Sequence, residues 1–402
     1  MKPFGSLWWI RAPLALALVL LARVIRPILL IRFGNLRNHT IGTLSLHAEG
    51  YMADQDLGLS PPRTVDLFFH TEPSANRVLD HLLERRLHVT PTARFAQAFN
   101  ARIPGGMAHV VELGNARRDQ ERDHYRAYTQ TPQHFSLNAE EKTEARRQLC
   151  ERIGMSDDAK FVCFFSRTSS YLKVLHASGT VRRPDEIPTS NVLRNSSIFT
   201  YLPAVEEMAR RGYWCFRMGA VVDEKIPASE RIVDYANSFR SELLDLYLIS
   251  HCDLILSDTT GLCDLSFMFR RATATANLFN MKLLHSWAGV FMPKKYIVEA
   301  EKRIFSLAEL LNHGGGPATA SDWPVYAAAH GLRIEDNSAE EIRDLALEAL
   351  DRLAGTWQDT PADLERQKRV QKLYFGQALE LGGPLQATLS ATFLRRYPGF
   401  IR

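Results

Sequence analysis

The sequence predicts an α/β protein of two Rossmann-like domains whose parallel sheets face one another across a cleft. Three observations predict it. Short apolar runs alternate with longer amphipathic ones through both halves of the chain. Residues 239–280, FRSELLDLYLISHCDLILSDTTGLCDLSFMFRRATATANLFN, read as one βαβ unit. The length, 402 residues at 46% hydrophobic, suits two domains of about 150 to 200 residues each.

In the first half, residues 27–34 (PILLIRFG) read as a strand, 35–40 as a turn and 41–53 as a helix. A second strand is expected at 65–70, a helix at 74–85, a third strand at 87–91 and a fourth at 108–113. A charged helix over 139–152 has Asn138 as its cap, with Glu141 three residues later closing a capping box. It reads as the bridge between domains.

The second half opens with a strand at 160–167 (KFVCFFSR) and continues with a polar loop containing Arg182, Arg183 and Arg194. A helix ending at Arg211 is stopped by Gly212, and 213–219 (YWCFRMG) is the next strand. In the central unit a helix starts near Glu242, a strand covers 253–257, a turn 257–261 and a helix 263–269, and a strand runs to Leu278. A weaker strand near 290–291 and helices over 299–311, 339–354 and 361–379 complete the pattern. The expected division is an N-terminal segment 1–26, a first domain 27–155 with its linker helix, a second domain 156–383, and a tail 384–402 crossing back to the first domain.

A formal charge of +4 is too mild for a nucleic-acid binder, which concentrates basic residues in a stripe. Cys150, Cys163, Cys215, Cys252 and Cys263 are odd in number and lack CxxC spacing. They read as reduced thiols of a cytoplasmic protein, with no disulfide framework and no zinc site.

The first acidic residue is Glu49, so Lys2, Arg11, Arg23, Arg26, Arg32 and Arg37 precede any carboxylate. The apolar run 12–22 follows Trp8-Trp9 and is too short to span a bilayer, which needs about 20 residues. A helix lying peripherally on the anionic inner membrane face is the expectation. The alternative is a helix packed on the protein's own surface.

Parallel α/β sheets bind ligands beyond the carboxyl ends of their strands, where small residues and free N–H groups meet an anion. Ser257, Asp258, Thr259, Thr260 and Gly261 form such a turn, although Asp258, Thr259 and Thr260 are also ordinary helix caps. Arg167 and Arg217 each end an apolar strand, Gly219 follows the second of them, and Arg194 lies between. A buried arginine needs an anion, and a diphosphate suits the guanidinium fork. The other partner available to them is an internal acid such as Asp223, Glu242 or Asp258.

On the first domain, Asn35, Arg37, Asn38 and His39 occupy the first strand-to-helix turn. His39, with its near-neutral pKa, suits removal of an acceptor proton; Glu49 on the following helix could orient a histidine or act itself. No metal site is expected. Asp54-Gln55-Asp56 has a DxD pattern but lies at a helix end and reads as a solvated loop, and Gly314-Gly315-Gly316 follows no strand.

With these residues in view, the chain resembles a family of bacterial glycosyltransferases with the GT-B fold, many encoded near surface-polysaccharide genes. The matching stretches are IRFGNLRNHTIGTLSLHAE (31–49), RNSSIFTYLPAVEEMARRGYWCFRMG (194–219), DYANSFRSELLDLYLISHCDLILSDTTG (234–261), GLRIEDNSAEEI (331–342) and SATFLRRYPGF (390–400). Where family members carry an acidic residue after the strand arginine, this chain has Arg167-Thr168-Ser169.

The resemblance implies a nucleotide-sugar donor held by the second domain, with Arg217 and the turn 257–261 near its phosphates. The expected reaction is metal-independent transfer of a sugar to a hydroxyl of a surface-polysaccharide or lipid-linked glycan precursor. No cofactor is expected beyond the nucleotide-sugar co-substrate. A nucleotide-sugar epimerase of the same fold, or a non-catalytic saccharide- or nucleotide-binding partner in polysaccharide export, are the alternatives.

Overall fold

The computed structural model describes residues 8–70, 73–113, 127–177, 193–227, 229–281, 289–313, 323–375 and 387–402. The chain divides into two compact units, 1–122 with 127–136, and 137–402 with 123–126. Arg182, Arg183 and the run Gly314-Gly315-Gly316 lie outside the described residues.

The first unit is built on three parallel strands, β1 (Leu30–Leu36), β2 (Thr64–His70) and β3 (Val110–Val111), in the order β2-β1-β3. Phe33, Leu36, Phe68 and Phe69 fill its core. Helix α1 (Trp8–Ile25) packs on α4 (Pro91–Asn100), burying Ala12, Ala15, Val19 and Ala22 at helical spacing. Between β1 and β2 runs α2 (Ile41–Asp56), and α3 (Arg77–Glu84) follows β2.

Two expectations change here. The strand expected at 27–34 starts later, at Leu30, whose N–H reaches the Arg63 carbonyl. The strand expected at 87–91 is reduced to a single bridge between Val89 and Phe68, because Thr90 and Pro91 open α4 as its N-cap and first residue.

The second unit carries a seven-stranded sheet in the order β13-β9-β8-β7-β4-β5-β6. Its strands are β4 (Phe161–Phe165), β5 (Trp214–Arg217), β6 (Ile232–Val233), β7 (Leu254–Ser257), β8 (Thr273–Leu278), β9 (Val290–Pro293) and β13 (Thr388–Leu389), and every pairing is parallel. Numbered from β4, the first six strands have the doubly wound order 3-2-1-4-5-6, and the order reverses between β4 and β7. That reversal positions the site.

A small antiparallel sheet, β11-β10-β12, joins β10 (Lys295–Val298), β11 (Arg303–Ile304) and β12 (Leu332–Glu335). It overturns the helix expected from 299 to 311: Val298 pairs with Arg303 across a turn in which Lys302 takes a positive φ of 51°. The helix begins only at Leu307, behind a capping box of Ser306 and Glu309.

The charged helix expected as a bridge forms as Ala139–Ile153 with its capping box intact, and it belongs to the second unit. There Arg146 donates to the Tyr247 hydroxyl at 3.3 Å. The tail, expected to cross to the first domain, is held within the second unit. β13 extends the sheet beside β9, and the fully buried Glu348 carboxylate accepts the Ser390 hydroxyl at 2.8 Å and the Ala391 N–H at 3.0 Å. All five cysteines are free thiols; four are buried and Cys150 is exposed.

Candidate functional site

At the reversal point, Phe165 and Ser257 are opposed in register as the last residues of β4 and β7. The chain leaves them through Arg167 on one side and the turn 258–260 on the other. Asp258 is completely buried, and its Oδ2 accepts the Arg167 N–H at 2.8 Å and the Ser196 hydroxyl at 2.7 Å. Burial pushes its carboxyl up to about 6, against the pull of these donors, of Arg167 and of Lys294. Asp258 thus pins three segments together.

The Arg194 guanidinium joins the same turn by donating to the Thr259 carbonyl at 3.0 Å. Burial lowers the pKa of both arginines. Arg167 falls to about 10, with the neighbouring Arg194 charge as the next cause, while Asp258 and Asp264 oppose the shift. Thr260 holds the N-cap position of the helix Gly261–Met268, yet its side chain makes no capping bond. Thr259 Oγ1, Thr260 Oγ1 and Arg194 Nε are buried without a hydrogen-bond partner among the described residues.

Unsatisfied buried hydroxyls and a guanidinium N–H at a helix N-terminus are oriented groups whose hydrogen bonds a ligand's oxygens could accept. Ordinary capping does not account for them.

Two residues here escaped the sequence reading. Ser196 holds Asp258 as just described. Lys294, directly after β9, has a side chain only 2% exposed, donates to the Asn195 carbonyl at 3.1 Å and pairs with Asp336. A lysine ending the apolar run VFMP was the signal for it, of the same kind as Arg167 ending its own strand.

Arg217, expected to serve a phosphate, stands beside an acid of its own unit. Its side chain is 2% exposed and faces Asp234 at 3.5 Å, an acid supplied just past β6. Burial lowers its pKa, while Asp234, Glu224 and Asp223 oppose the shift. Arg217 therefore has an internal counter-ion. Gly219 takes a φ of 150°, and a Cβ there would come within 2.4 Å of Val222 Cγ1, so local packing alone requires glycine.

In the first unit, Asn35 lies within β1, and Arg37, Asn38 and His39 form the turn between β1 and α2. Arg37 is exposed. Asn38 is buried and spent on structure: its side chain donates to Asp80 at 2.9 Å and its carbonyl accepts the Ala75 N–H at 2.7 Å. His39 is half-buried, and burial, then the Arg37 charge, lowers its pKa below 6.5, so the ring is neutral at pH 7.

Glu49, the other candidate base, is engaged by a histidine. It sits two turns into α2, fully buried, with Oε1 at 2.9 Å from His134 Nδ1. The other ring nitrogen of His134 meets Asp56 at 3.0 Å. Glu49 thus orients a histidine, but one 85 positions away in the chain. The same contact corrects the solvated-loop reading of Asp54-Gln55-Asp56: these residues form the last turn of α2, Asp54 is buried and Asp56 is engaged. Among the described residues no group of three or more His, Cys, Asp or Glu is placed to hold a metal ion.

No protein-family model matches this chain, and no curated protein matches it. Among solved structures, a glycosyl transferase family 9 protein from Veillonella parvula aligns at 11% identity and a TM-score of 0.43 over 80% of this chain and 96% of its own. The ADP-heptose LPS heptosyltransferase II of E. coli aligns at 14% identity and 0.31, covering 60% and 84%. The iron-containing dodecameric glycosyltransferase TibC of enterotoxigenic E. coli gives 12% and 0.34, covering 63% and 62%. At these values the likeness decides neither fold detail nor activity.

Proposed function

We propose that the chain is a GT-B glycosyltransferase that moves a sugar from a nucleotide-diphosphate sugar to a hydroxyl of a surface-polysaccharide or lipid-linked glycan precursor. The observation that carries this reading is the convergence of Arg167, Arg194 and the unsatisfied Thr259 and Thr260 hydroxyls on one turn at the strand-order reversal.

Breaking the bond between the sugar's anomeric carbon and its phosphate oxygen leaves negative charge on the diphosphate. Guanidinium groups placed beside that charge would stabilise the transition state more than the ground state. Because the arginines carry this duty, turnover is expected without added divalent cation.

On the acceptor side, His39 is the residue in the first unit suited to take the hydroxyl proton, since its lowered pKa keeps the ring able to accept it at neutral pH. Asn35 and Arg37 would line the acceptor position. Arg217 and Gly219 support the donor domain from within.

The test is a thermal-shift screen of the purified chain against UDP-, GDP-, ADP-, dTDP- and CMP-sugars, with and without magnesium, repeated on Arg194→Ala. Binding to the folded state alone raises the melting temperature with ligand concentration. A shift from one nucleotide family, present without magnesium and lost in the variant, is the expected result. Absence of a shift from every nucleotide would overturn the donor assignment.

A further inference from the structure

Helix α1 has two apolar faces, and only one of them is covered within its unit. Ala12, Ala15, Val19 and Ala22 turn inward, while Leu14 (59%), Leu20 (53%), Leu21 (53%) and Val24 (77%) stand exposed on the opposite side. Ile28 (74%) continues that face just beyond the helix. No charged residue interrupts the helix between Arg11 and Arg23, so it is apolar all round, as a helix with cover on both sides is. An apolar face of this extent in contact with water marks a docking surface.

What borders the face identifies its occupant. Residues 1–48 and 85–111, which supply α1, β1 and α4, contain no Asp or Glu. Arg23 ties α1 to the loop after α4 by donating to the Pro104 carbonyl at 2.9 Å and to Asn100 Oδ1 at 2.7 Å. That loop carries exposed Arg102 and Met107, the latter 70% exposed. Exposed Arg26 lies between Val24 and Ile28, and exposed Arg63 is held beside the start of β1 through its carbonyl at 2.9 Å from the Leu30 N–H.

We infer that this face docks on an anionic lipid bilayer, with the leucines and Val24 entering the acyl boundary and Arg26, Arg63 and Arg102 on the headgroup phosphates. A second copy of the chain fits the same surface poorly, because a two-fold contact would set these uncompensated arginines against each other. No helix among the described residues is long and apolar enough to cross a membrane, so the contact is peripheral. The inference stands on the first unit alone and is independent of the transferase reading.

The experiment is co-sedimentation of the full chain with vesicles of phosphatidylglycerol and phosphatidylethanolamine, against vesicles of phosphatidylcholine alone. The wild-type chain is expected to pellet with the anionic vesicles only, and less so as salt rises. Leu21→Glu with Val24→Glu should abolish pelleting without lowering the melting temperature, since both side chains already face solvent. Arg26→Glu with Arg102→Glu should weaken it by roughly tenfold or more while leaving the apolar face intact.

Wild-type protein that stays in the supernatant with anionic vesicles overturns the inference, as does unchanged pelleting of both double variants. So does a wild-type dimer, seen by sedimentation velocity, that L21E/V24E converts to monomer while neither form binds lipid.

Discussion

The Arg167 main-chain N–H donates to the Asp258 carboxylate at 2.8 Å, joining the segments that leave β4 and β7 where the strand order reverses. Asp258 is completely buried and also accepts the Ser196 hydroxyl, so the arginine-bearing loop and the threonine turn are set by one carboxylate. Asp258→Ala leaves both donors without an acceptor and is expected to cost about 2–4 kcal/mol in chemical denaturation. Asp258→Asn keeps one carbonyl oxygen and should cost less.

The two Asp258 forms also differ with pH. Burial raises the folded pKa from 3.8 to about 6, so the folded state holds the proton longer than the unfolded chain. Stability from this residue is fully present below about pH 4 and is lost as pH rises toward about 6, by roughly 3 kcal/mol. Asn does not titrate. The gap between wild type and Asp258→Asn in urea midpoints should therefore close or reverse over that window, and a gap constant with pH would contradict it.

Arg194 and Arg217 should separate cleanly. Arg194→Ala removes a guanidinium that points at the turn and is expected to weaken nucleotide-sugar binding about tenfold to a hundredfold with little change in melting temperature. Arg217→Ala strands Asp234 and empties a buried site, so it should lower the melting temperature more than Arg194→Ala does. Calorimetric titration beside thermal melts of both variants checks the contrast.

His39→Asn is expected to reduce turnover roughly 10²- to 10⁴-fold while leaving donor binding in place. Because the folded pKa lies below 6.5, activity in the wild type should fall only on the acid side of that value, as the ring protonates. A variant retaining full turnover would remove His39 from the reaction.

His134 has the opposite sign. Burial alone would lower its pKa, but hydrogen bonds and charge from Glu49 and Asp56 outweigh burial and hold it above 6.5. Its contribution to stability is fully present below about pH 6.5 and is lost as pH rises through the folded value. His134→Gln should therefore cost more stability at about pH 6 than at about pH 8, read as the difference between urea midpoints.

A buried pair in the first unit gives the largest expected loss. Arg32 and Asp66 are opposed in register on β1 and β2, joined by two hydrogen bonds of 2.7 Å, with the Tyr51 hydroxyl donating to the same carboxylate at 2.8 Å. Asp66→Ala leaves the guanidinium buried and unpaired and should cost about 3–5 kcal/mol. Equilibrium unfolding followed by circular dichroism measures it.

These residues also show where a linear reading succeeds. The central βαβ unit was legible because apolar run, small-residue turn and helix lie within forty-odd consecutive positions, and the Asn138–Glu141 capping box is purely local. Helix α4 carried a readable signal in Thr90-Pro91, but the β-branched residues before it pointed to a strand.

The stretch after Val298 is rich in helix formers, yet pairing of β10 with β11 overrides their preference. For the site, Arg167 and Asp258 could be read from strand ends. The partners Ser196 for Asp258, Asp234 for Arg217 and His134 for Glu49 come from tertiary folding, which no spacing encodes.

The position of β13 bears on how the polypeptide is made. Residues 388–389 pair beside residues 290–291 in the large sheet, so that flank of β9 stays open until residues 388–389 have emerged from the ribosome. An unpaired flank is a template for pairing with other chains. Forms without residues 388–389, nascent or truncated, would thus be the vulnerable ones, and a chaperone bound before those residues emerge would cover the flank in their place.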